Sequence, residues 1–243
     1  MRTIIIFLVC MISSIFALGQ NQKQNLLEEI RCTPPRFTGI PGTIPALTEG
    51  KYQTINEYLA KNVQYPTEDL EISLQGTEVV QFIVSTSGNL SEIKIVNSLS
   101  DKVDAEVIRA LKTTEGMWKP GYNDDKPVAM EKEVSVAFRI DGMWNNDFNF
   151  WARKYFTQGN EIFFKQSNPR KAIKYFDKGI TLLPNDKSLL VMRGIARFQT
   201  GNKEGAVRDW SRIKSLGGFE SEEYLKNLSD LKGYAELTQI MGK

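Results

Sequence analysis

The sequence predicts an α+β domain with a small three-stranded antiparallel sheet and two helices, followed by an all-α domain of helical repeats. Apolar and polar residues alternate in three short runs between positions 78 and 140, as they do in strands with one buried face. Two further segments of this region have helical spacing. Beyond position 149 the spacing is helical throughout, and two segments match each other at an offset of 34 residues, which indicates a repeat.

The α+β domain, predicted over residues 51–142, begins with a helix at 54–62. Ile55, Tyr58 and Leu59 share one face of this helix, and the proline of Tyr65-Pro66 limits its extent. A second helix is predicted from Asp101, where Ser100 or Asp101 can cap it. The three strands are predicted at 78–85, 90–97 and 133–140, and Ser87-Gly88-Asn89 between the first two is a hairpin signal. Three strands leave at least one sheet edge open.

Composition excludes several classes of function. The 243 residues include 31 basic and 29 acidic side chains, and there is no histidine. The near balance of charge argues against a nucleic-acid partner, and the lack of histidine excludes His-based triads and His-containing zinc sites. No Gly-rich phosphate loop is present. The sequence therefore predicts no metal, cofactor or small-molecule substrate.

The first 19 residues are expected to be a secretory signal. Arg2 precedes an apolar run from Ile4 to Leu18, and Ala17 and Gly19 supply the small residues of a cleavage site before Gln20. The run is shorter than the roughly 20 apolar residues of a spanning helix, although a retained anchor is the alternative. Residues 20–50 are rich in Pro and Gly and are expected to be an extended linker. Cys32 would then be the one cysteine of the mature chain.

The helical part, residues 149–243, resembles tetratricopeptide repeats. Gly159, Ala172 and Phe176 in one segment correspond to Gly194, Ala206 and Trp210 in the next, and small residues facing aromatic ones allow paired helices to approach closely. The final helices are expected to cap the array or to pack against the α+β domain. The resemblance implies a peptide-binding groove lined by Phe156, Asn160, Phe163, Ser188, Val191, Ile195 and Phe198. The alternative is that these side chains are covered by the other domain or by the last helices.

The α+β segment resembles the C-terminal domain of TonB, the periplasmic transducer that contacts outer-membrane transporters. The resemblance covers about Ile55–Ile140, and the matching residues are Tyr65-Pro66, Gly76, Val80, Phe82, Val84, Gly88, Ile93, Ile95, Asp104, Ala110, Trp118-Lys119-Pro120-Gly121 and Phe138. It implies that a partner peptide adds as a strand to the exposed sheet edge. That edge is expected at Val134, Val136 and Phe138, with Asn62, Val63 and Gln64 near the partner.

Three functions follow from these expectations. The first is a periplasmic adaptor that binds protein partners, such as an outer-membrane transporter or a periplasmic complex, through the sheet edge and the repeat groove. The second is an energy transducer that keeps an inner-membrane anchor, although the spacer of about 35 residues before Thr54 is short for it. The third is an enzyme using the carboxylates of Asp124, Asp125, Glu131 and Glu133, for which solvated surface charge is the ordinary explanation. The sequence therefore favours a protein that is not an enzyme.

Overall fold

The computed structural model describes residues 32–39, 54–143, 147–219 and 221–242. The predicted signal segment and most of the predicted linker lie outside these residues. The strands are β1 (Cys32–Thr33), β2 (Arg36–Phe37), β3 (Gly76–Val84), β4 (Leu90–Asn97), β5 (Trp118–Lys119), β6 (Gly121–Asn123), β7 (Lys126–Val128) and β8 (Met130–Phe138). The helices are α1 (Ile55–Asn62), α2 (Thr67–Glu71), α3 (Asp101–Lys112), α4 (Phe148–Lys165), α5 (Pro169–Leu182), α6 (Lys187–Gln199), α7 (Lys203–Ser215), α8 (Glu222–Lys226) and α9 (Tyr234–Met241).

The main sheet has the strand order β4-β3-β8 and is antiparallel throughout. This confirms the predicted α+β class with an antiparallel sheet. The predicted Ser100 cap is present, since the Ser100 hydroxyl accepts a hydrogen bond from the Val103 N–H, and in α1 the Thr54 hydroxyl likewise accepts one from the Glu57 N–H. Each cap satisfies a backbone donor that has no partner within its helix.

One face of the main sheet packs against α1 and α3. The inward residues of β3 and β8 are those predicted from alternation, and they meet the apolar stripes of the two helices in one buried core. The core residues from the strands are Val80, Phe82, Val84, Val134, Val136 and Phe138, and those from the helices are Ile55, Tyr58, Leu59, Val103, Val107, Ala110 and Leu111.

Short strands that the sequence analysis did not predict extend the domain toward its N-terminus. β1 pairs with β6, β2 pairs with β5, and β6 also pairs with β7. Phe37 of β2 is buried with its ring edge-on to Trp118 and Tyr58, at centroid distances of 5.3 and 5.7 Å. The part of the expected linker that is described is therefore extended, and it packs onto the core because the Phe37 ring is buried there.

Helices α4 to α7 pack consecutively against one another, and α9 packs against α7. A Cβ atom on Gly159 would overlap the Phe176 ring, and one on Gly194 would overlap the Trp210 indole. The two glycines are 35 residues apart and the two aromatic residues are 34 apart. The same close approach of glycine and aromatic ring thus occurs in both helix pairs, α4–α5 and α6–α7.

We expect Gly194→Ala to lower the free energy of unfolding by about 1–3 kcal/mol, because the added methyl group overpacks a core in which Trp210 is fully buried. In a Trp210→Leu background the same change should cost less than about 1 kcal/mol, since alanine favours helix over glycine by roughly 0.5–1 kcal/mol. Denaturant unfolding of the four proteins of this cycle measures the coupling. An equal cost of Gly194→Ala in both backgrounds would contradict the packing explanation.

The opposite face of the main sheet meets the helical array. The Thr77 hydroxyl of β3 donates to the Leu182 carbonyl at the end of α5 (2.6 Å). Glu133 of β8 accepts hydrogen bonds from Arg212 (2.7 Å) and from the Asn185 amide (3.3 Å). The described residues accordingly form one compact unit in which both faces of the sheet are partly covered. Among the described residues, no helix has the length and apolarity needed to cross a bilayer.

Candidate partner-binding strand edge

Strand β8 forms one edge of the main sheet. It is nine residues long and pairs with β3 in an uninterrupted register from Gly76 opposite Phe138 to Val84 opposite Met130. Within the described parts of the chain, no other strand pairs with its second side. An antiparallel edge of this kind presents backbone N–H and C=O groups to a further strand.

The other edge, β4, is less regular. Its register with β3 shifts twice, between Val79 and Val80 and between Gln81 and Ile83. Glu92 in this strand has a φ of 49°, which non-glycine residues adopt rarely. Bulges and local bends of this kind twist an edge away from further pairing. The edge of β8 is therefore the better template for strand addition.

Charge divides β8 into two halves. Glu131, Lys132 and Glu133 lie in its first half, whereas Val134–Phe138 carries no charge and no proline. Charged side chains discourage pairing at an edge. The uncharged half is five residues long, about 17 Å at roughly 3.4 Å per residue, which suffices for a short partner strand.

The side chains predicted at this edge point into the protein. Val134, Val136 and Phe138 are only 4%, 8% and 4% exposed, so they belong to the core. The intervening Ser135 and Ala137 are exposed. A partner strand would consequently meet the backbone of β8 together with these two small side chains, which present little steric obstruction.

Residues Asn62, Val63 and Gln64 lie at the end of α1 and are tied to α3. The Asn62 carbonyl accepts a hydrogen bond from Arg109 (2.8 Å), and the Gln64 N–H donates to Glu106 (2.6 Å). Arg109 in turn donates to Glu106, and this contact lowers the pKa of the Glu106 carboxyl. Val63 is half-buried against the core. The Val63 N–H also donates to the Leu59 carbonyl, so at least three backbone groups of this segment are already in use.

Tyr65 connects this segment to the edge strand. Its ring packs edge-on against Phe138 with a centroid distance of 5.2 Å, and its hydroxyl donates to the Leu74 carbonyl. Helix α1 itself packs against β8. Tyr65, which follows residues 62–64, thus contacts the uncharged end of β8, whereas Asn62 and Gln64 themselves bond to α3.

Most of the side chains predicted to line a repeat groove are buried in the helical array. Val191 and Ile195 are fully buried, Phe163 and Phe198 are nearly so, and all four belong to the core of the helical array. Phe156 packs against that core and is half-buried, as is Asn160. Phe198 lies against Gly233 in the segment before α9. The last helices therefore cover part of this predicted surface.

The carboxylates considered for catalysis are dispersed. Asp124 and Asp125 occupy the turn between β6 and β7 with φ values of 47° and 64°, and both are exposed. Glu133 is engaged in its ion pair with Arg212. In the described part of the chain, no group of three or more His, Cys, Asp or Glu side chains is placed to hold a metal ion. These positions have ordinary structural roles as turn residues and ion-pair partners.

The contacts of Arg109 with Asn62 and Glu106 and of Arg212 with Glu133 were not predicted from the sequence. Glu106 and Arg109 stand three positions apart on the polar face of α3, a spacing that places them side by side and that could have been noticed. Arg212 and Glu133 are separated by 79 residues. No local pattern signals that pair.

The structure contains a small α+β domain with a regular sheet edge, half of which carries no charge, and domains with such an edge can take an added strand. Residues 61–140 match the family model for the Gram-negative bacterial TonB protein C-terminal. This match confirms the resemblance over that third of the chain, and the helical array lies beyond it.

Two solution NMR structures of the TonB C-terminal domain of Helicobacter pylori are also similar. One is 18% identical, covers 37% of this chain and 92% of its own, and has a TM-score of 0.31. The other is 17% identical, covers 41% and 89%, and has a TM-score of 0.32. A comparison with curated proteins finds no match.

Proposed function

We propose that this chain is a periplasmic adaptor, associated with outer-membrane transport, that binds a partner polypeptide by strand addition along Val134–Phe138. The observation that carries the proposal is the regular and uncharged half of an edge strand, supported by the family match over residues 61–140. Backbone hydrogen bonds would supply affinity, and alternate side chains of the partner would supply specificity. The role is one of binding, without catalysis.

The segment Asn62–Gln64 would contact the end of the added strand. Its hydrogen bonds to Arg109 and Glu106 hold it in place before binding. A preformed contact surface reduces the entropy lost on association. The exposed side chain of Gln64 is the member of this segment most available to a partner.

The tetratricopeptide-like character of α4–α7 is part of the proposal. It is supported by the recurring glycine–aromatic contacts in the two helix pairs. Since Val191 and Ile195 are buried, the proposal assigns the main partner contact to the sheet edge. Export through the N-terminal segment, with cleavage before Gln20, completes the proposal.

Site-specific photo-crosslinking in intact cells tests the edge. A photoreactive phenylalanine analogue at Ala137, which is exposed on β8, should form an adduct with an outer-membrane protein. The same analogue at Glu115, exposed just after α3, is the matched control and should not form that adduct. Adducts of equal yield at both positions, or none at Ala137, would count against strand addition.

Proline substitutions in β8 test whether the partner pairs with the strand or only lies near it. Successive residues of an antiparallel strand direct their N–H groups to opposite sides, so Ser135→Pro and Val136→Pro remove donors from opposite sides of β8. We expect one variant to weaken folding and the other to fold while losing the Ala137 adduct. Circular dichroism reports the first effect and crosslinking the second. If both variants fold and both keep the Ala137 adduct, the proposal is wrong.

A further inference from the structure

A groove of about 540 Å³ lies between the main sheet and the helical array, away from the edge of β8. One wall is formed by Lys94–Asn97 of β4, and the opposite wall by one face of α7 that carries Arg208, Ser211, Arg212 and Ser215. Ile180, Pro184 and Leu190 form a buried floor, whereas Lys94, Arg208, Ser211 and Ser215 are exposed at the rim. The groove is thus an open trough, which suits an extended chain better than an enclosed small ligand.

The groove has an excess of positive charge. Five cationic side chains line it: Lys94, Arg193, Arg197, Arg208 and Arg212. Asp209 and Asp177 pair with Arg193 and Arg197, and Glu133 pairs with Arg212. Five cations against three carboxylates leave two positive charges unbalanced. Those two belong to Lys94 and Arg208, neither of which forms an ion pair with another described residue.

The spacing of the cations selects a ligand geometry. Arg208 and Arg212 are one helical turn apart, with about 5–6 Å between their Cβ atoms. Alternate residues of an extended chain lie on the same side and about 6.6 Å apart. Two carboxylates at alternate positions of an extended peptide can therefore face both arginines, while Lys94 lies across the groove. Nη2 of Arg212 donates to Glu133 and Asn185, and Nη1 lies 3.5 Å from the Ser215 hydroxyl, so the guanidinium keeps further N–H groups for a ligand.

We propose that this groove is a second polypeptide-binding site and takes an extended acidic segment with carboxylates at alternate positions. The exposed Val207 beside Arg208 and the half-buried Ile95 and Val96 would contact the apolar atoms of that segment. The hydroxyl groups of Ser211 and Ser215 would bond its backbone. The site is separate from the edge of β8, so the chain would engage two polypeptide segments at once.

A titration of the isotopically labelled full chain, followed by NMR chemical shifts, tests this site. The probe is the blocked pentapeptide Ala-Glu-Ala-Glu-Ala, and the matched controls are Ala-Gln-Ala-Gln-Ala and Ala-Glu-Glu-Ala-Ala. We expect the first peptide to shift amides of β4 and α7 and to bind more tightly than either control. Equal binding of the glutamine peptide, or shifts confined to other elements, would overturn the proposal.

Two charge variants locate the contact. Arg208→Ala and Lys94→Ala should each weaken the probe about three- to tenfold, as expected for the loss of one charge-assisted contact. Lys214→Ala, on an exposed part of α7 outside the groove, should leave binding unchanged. Equal weakening by Lys214→Ala would indicate unspecific attraction and overturn the proposal. So would inorganic phosphate that shifts the groove amides when the peptide does not.

The two binding sites can fail separately. The variant Ala137→Lys, which places a charge on the edge of β8, should leave pentapeptide binding intact. The groove variants should likewise leave the Ala137 crosslink in place. Loss of pentapeptide binding in Ala137→Lys would show that the probe occupies the strand edge and would overturn the assignment to the groove.

Discussion

Asp209→Ala should lower the free energy of unfolding by about 3–5 kcal/mol, because it leaves two largely buried guanidinium groups without their shared carboxylate. Asp209 is 3% exposed. It accepts hydrogen bonds from Arg193 (2.6 and 3.1 Å) and from Arg197 (both 2.9 Å). Only the half-exposed Asp177, which lies 2.9 Å from Arg193 and 3.4 Å from Arg197, would remain to balance both arginines.

The matched control is Asp177→Ala. The side chain of Asp177 is 45% exposed, and both arginines keep Asp209 when it is removed. A partly solvated ion pair contributes roughly 0–1 kcal/mol, so this variant should lose far less stability. Thermal unfolding distinguishes the two, since a loss of about 3–5 kcal/mol lowers the Tm by roughly 6–20 °C for a domain of this size. A loss below about 1 kcal/mol for Asp209→Ala would show that the two arginines find other partners or reach water.

The three strands of the main sheet and the helices α1 and α3 could be predicted from the sequence because each depends on local periodicity. Val80, Phe82 and Val84 alternate over a strand of the predicted kind, and Ser100 caps the predicted helix. The strands β1 and β2 escaped prediction because two residues are too few to show a period. Their position follows from long-range pairing with β6 and β5, which no local pattern encodes.

In the candidate sites, too, some features could be predicted from the sequence and others depend on contacts between distant parts of the chain. The strand pattern alone predicted only that an edge stays open, and the resemblance to the TonB C-terminal domain assigned that edge to β8. The cationic groove could not, because Lys94 and Arg208 meet only when α7 packs beside β4. In the repeats, the glycine–aromatic spacing predicted the close helix approach. The burial of Val191 and Ile195 depends on how α5, α7 and the final helices cover α6, and this is set by packing along the whole array.

The burial of Glu78 could also have been predicted from the alternation of residues along β3. It has the same parity as Val80, Phe82 and Val84, so alternation places it on the buried face. The structure confirms this position, with 0% of Glu78 exposed. Its Oε2 accepts a hydrogen bond from the Leu99 N–H (2.9 Å). Oε1 of Glu78 and Oδ1 of Asp104 are both buried and have no partner among the described residues when each is written as a carboxylate.

A proton on Glu78 gives these two oxygens a partner, since the protonated side chain can donate a hydrogen bond to Asp104. Burial, together with this hydrogen bond and the charge of Asp104, raises the pKa of Glu78 from 4.5 to about 8. Between these two values the folded state holds a proton that the unfolded state releases. The contribution of Glu78 to stability is therefore fully present below about pH 4.5 and declines as pH rises to about 8.

We therefore expect the stability of the chain, relative to that of Glu78→Gln, to fall by up to about 5 kcal/mol between pH 4.5 and 8, since each pKa unit corresponds to roughly 1.4 kcal/mol. The glutamine amide can donate to Asp104 and its oxygen can accept from Leu99 at every pH, so the variant should be the more stable protein at pH 8. Denaturant unfolding of both proteins at several pH values measures the difference. Parallel stability curves across this range would mean that Glu78 ionises normally in the fold and that the orphaned oxygens of Glu78 and Asp104 are satisfied by something other than a shared proton.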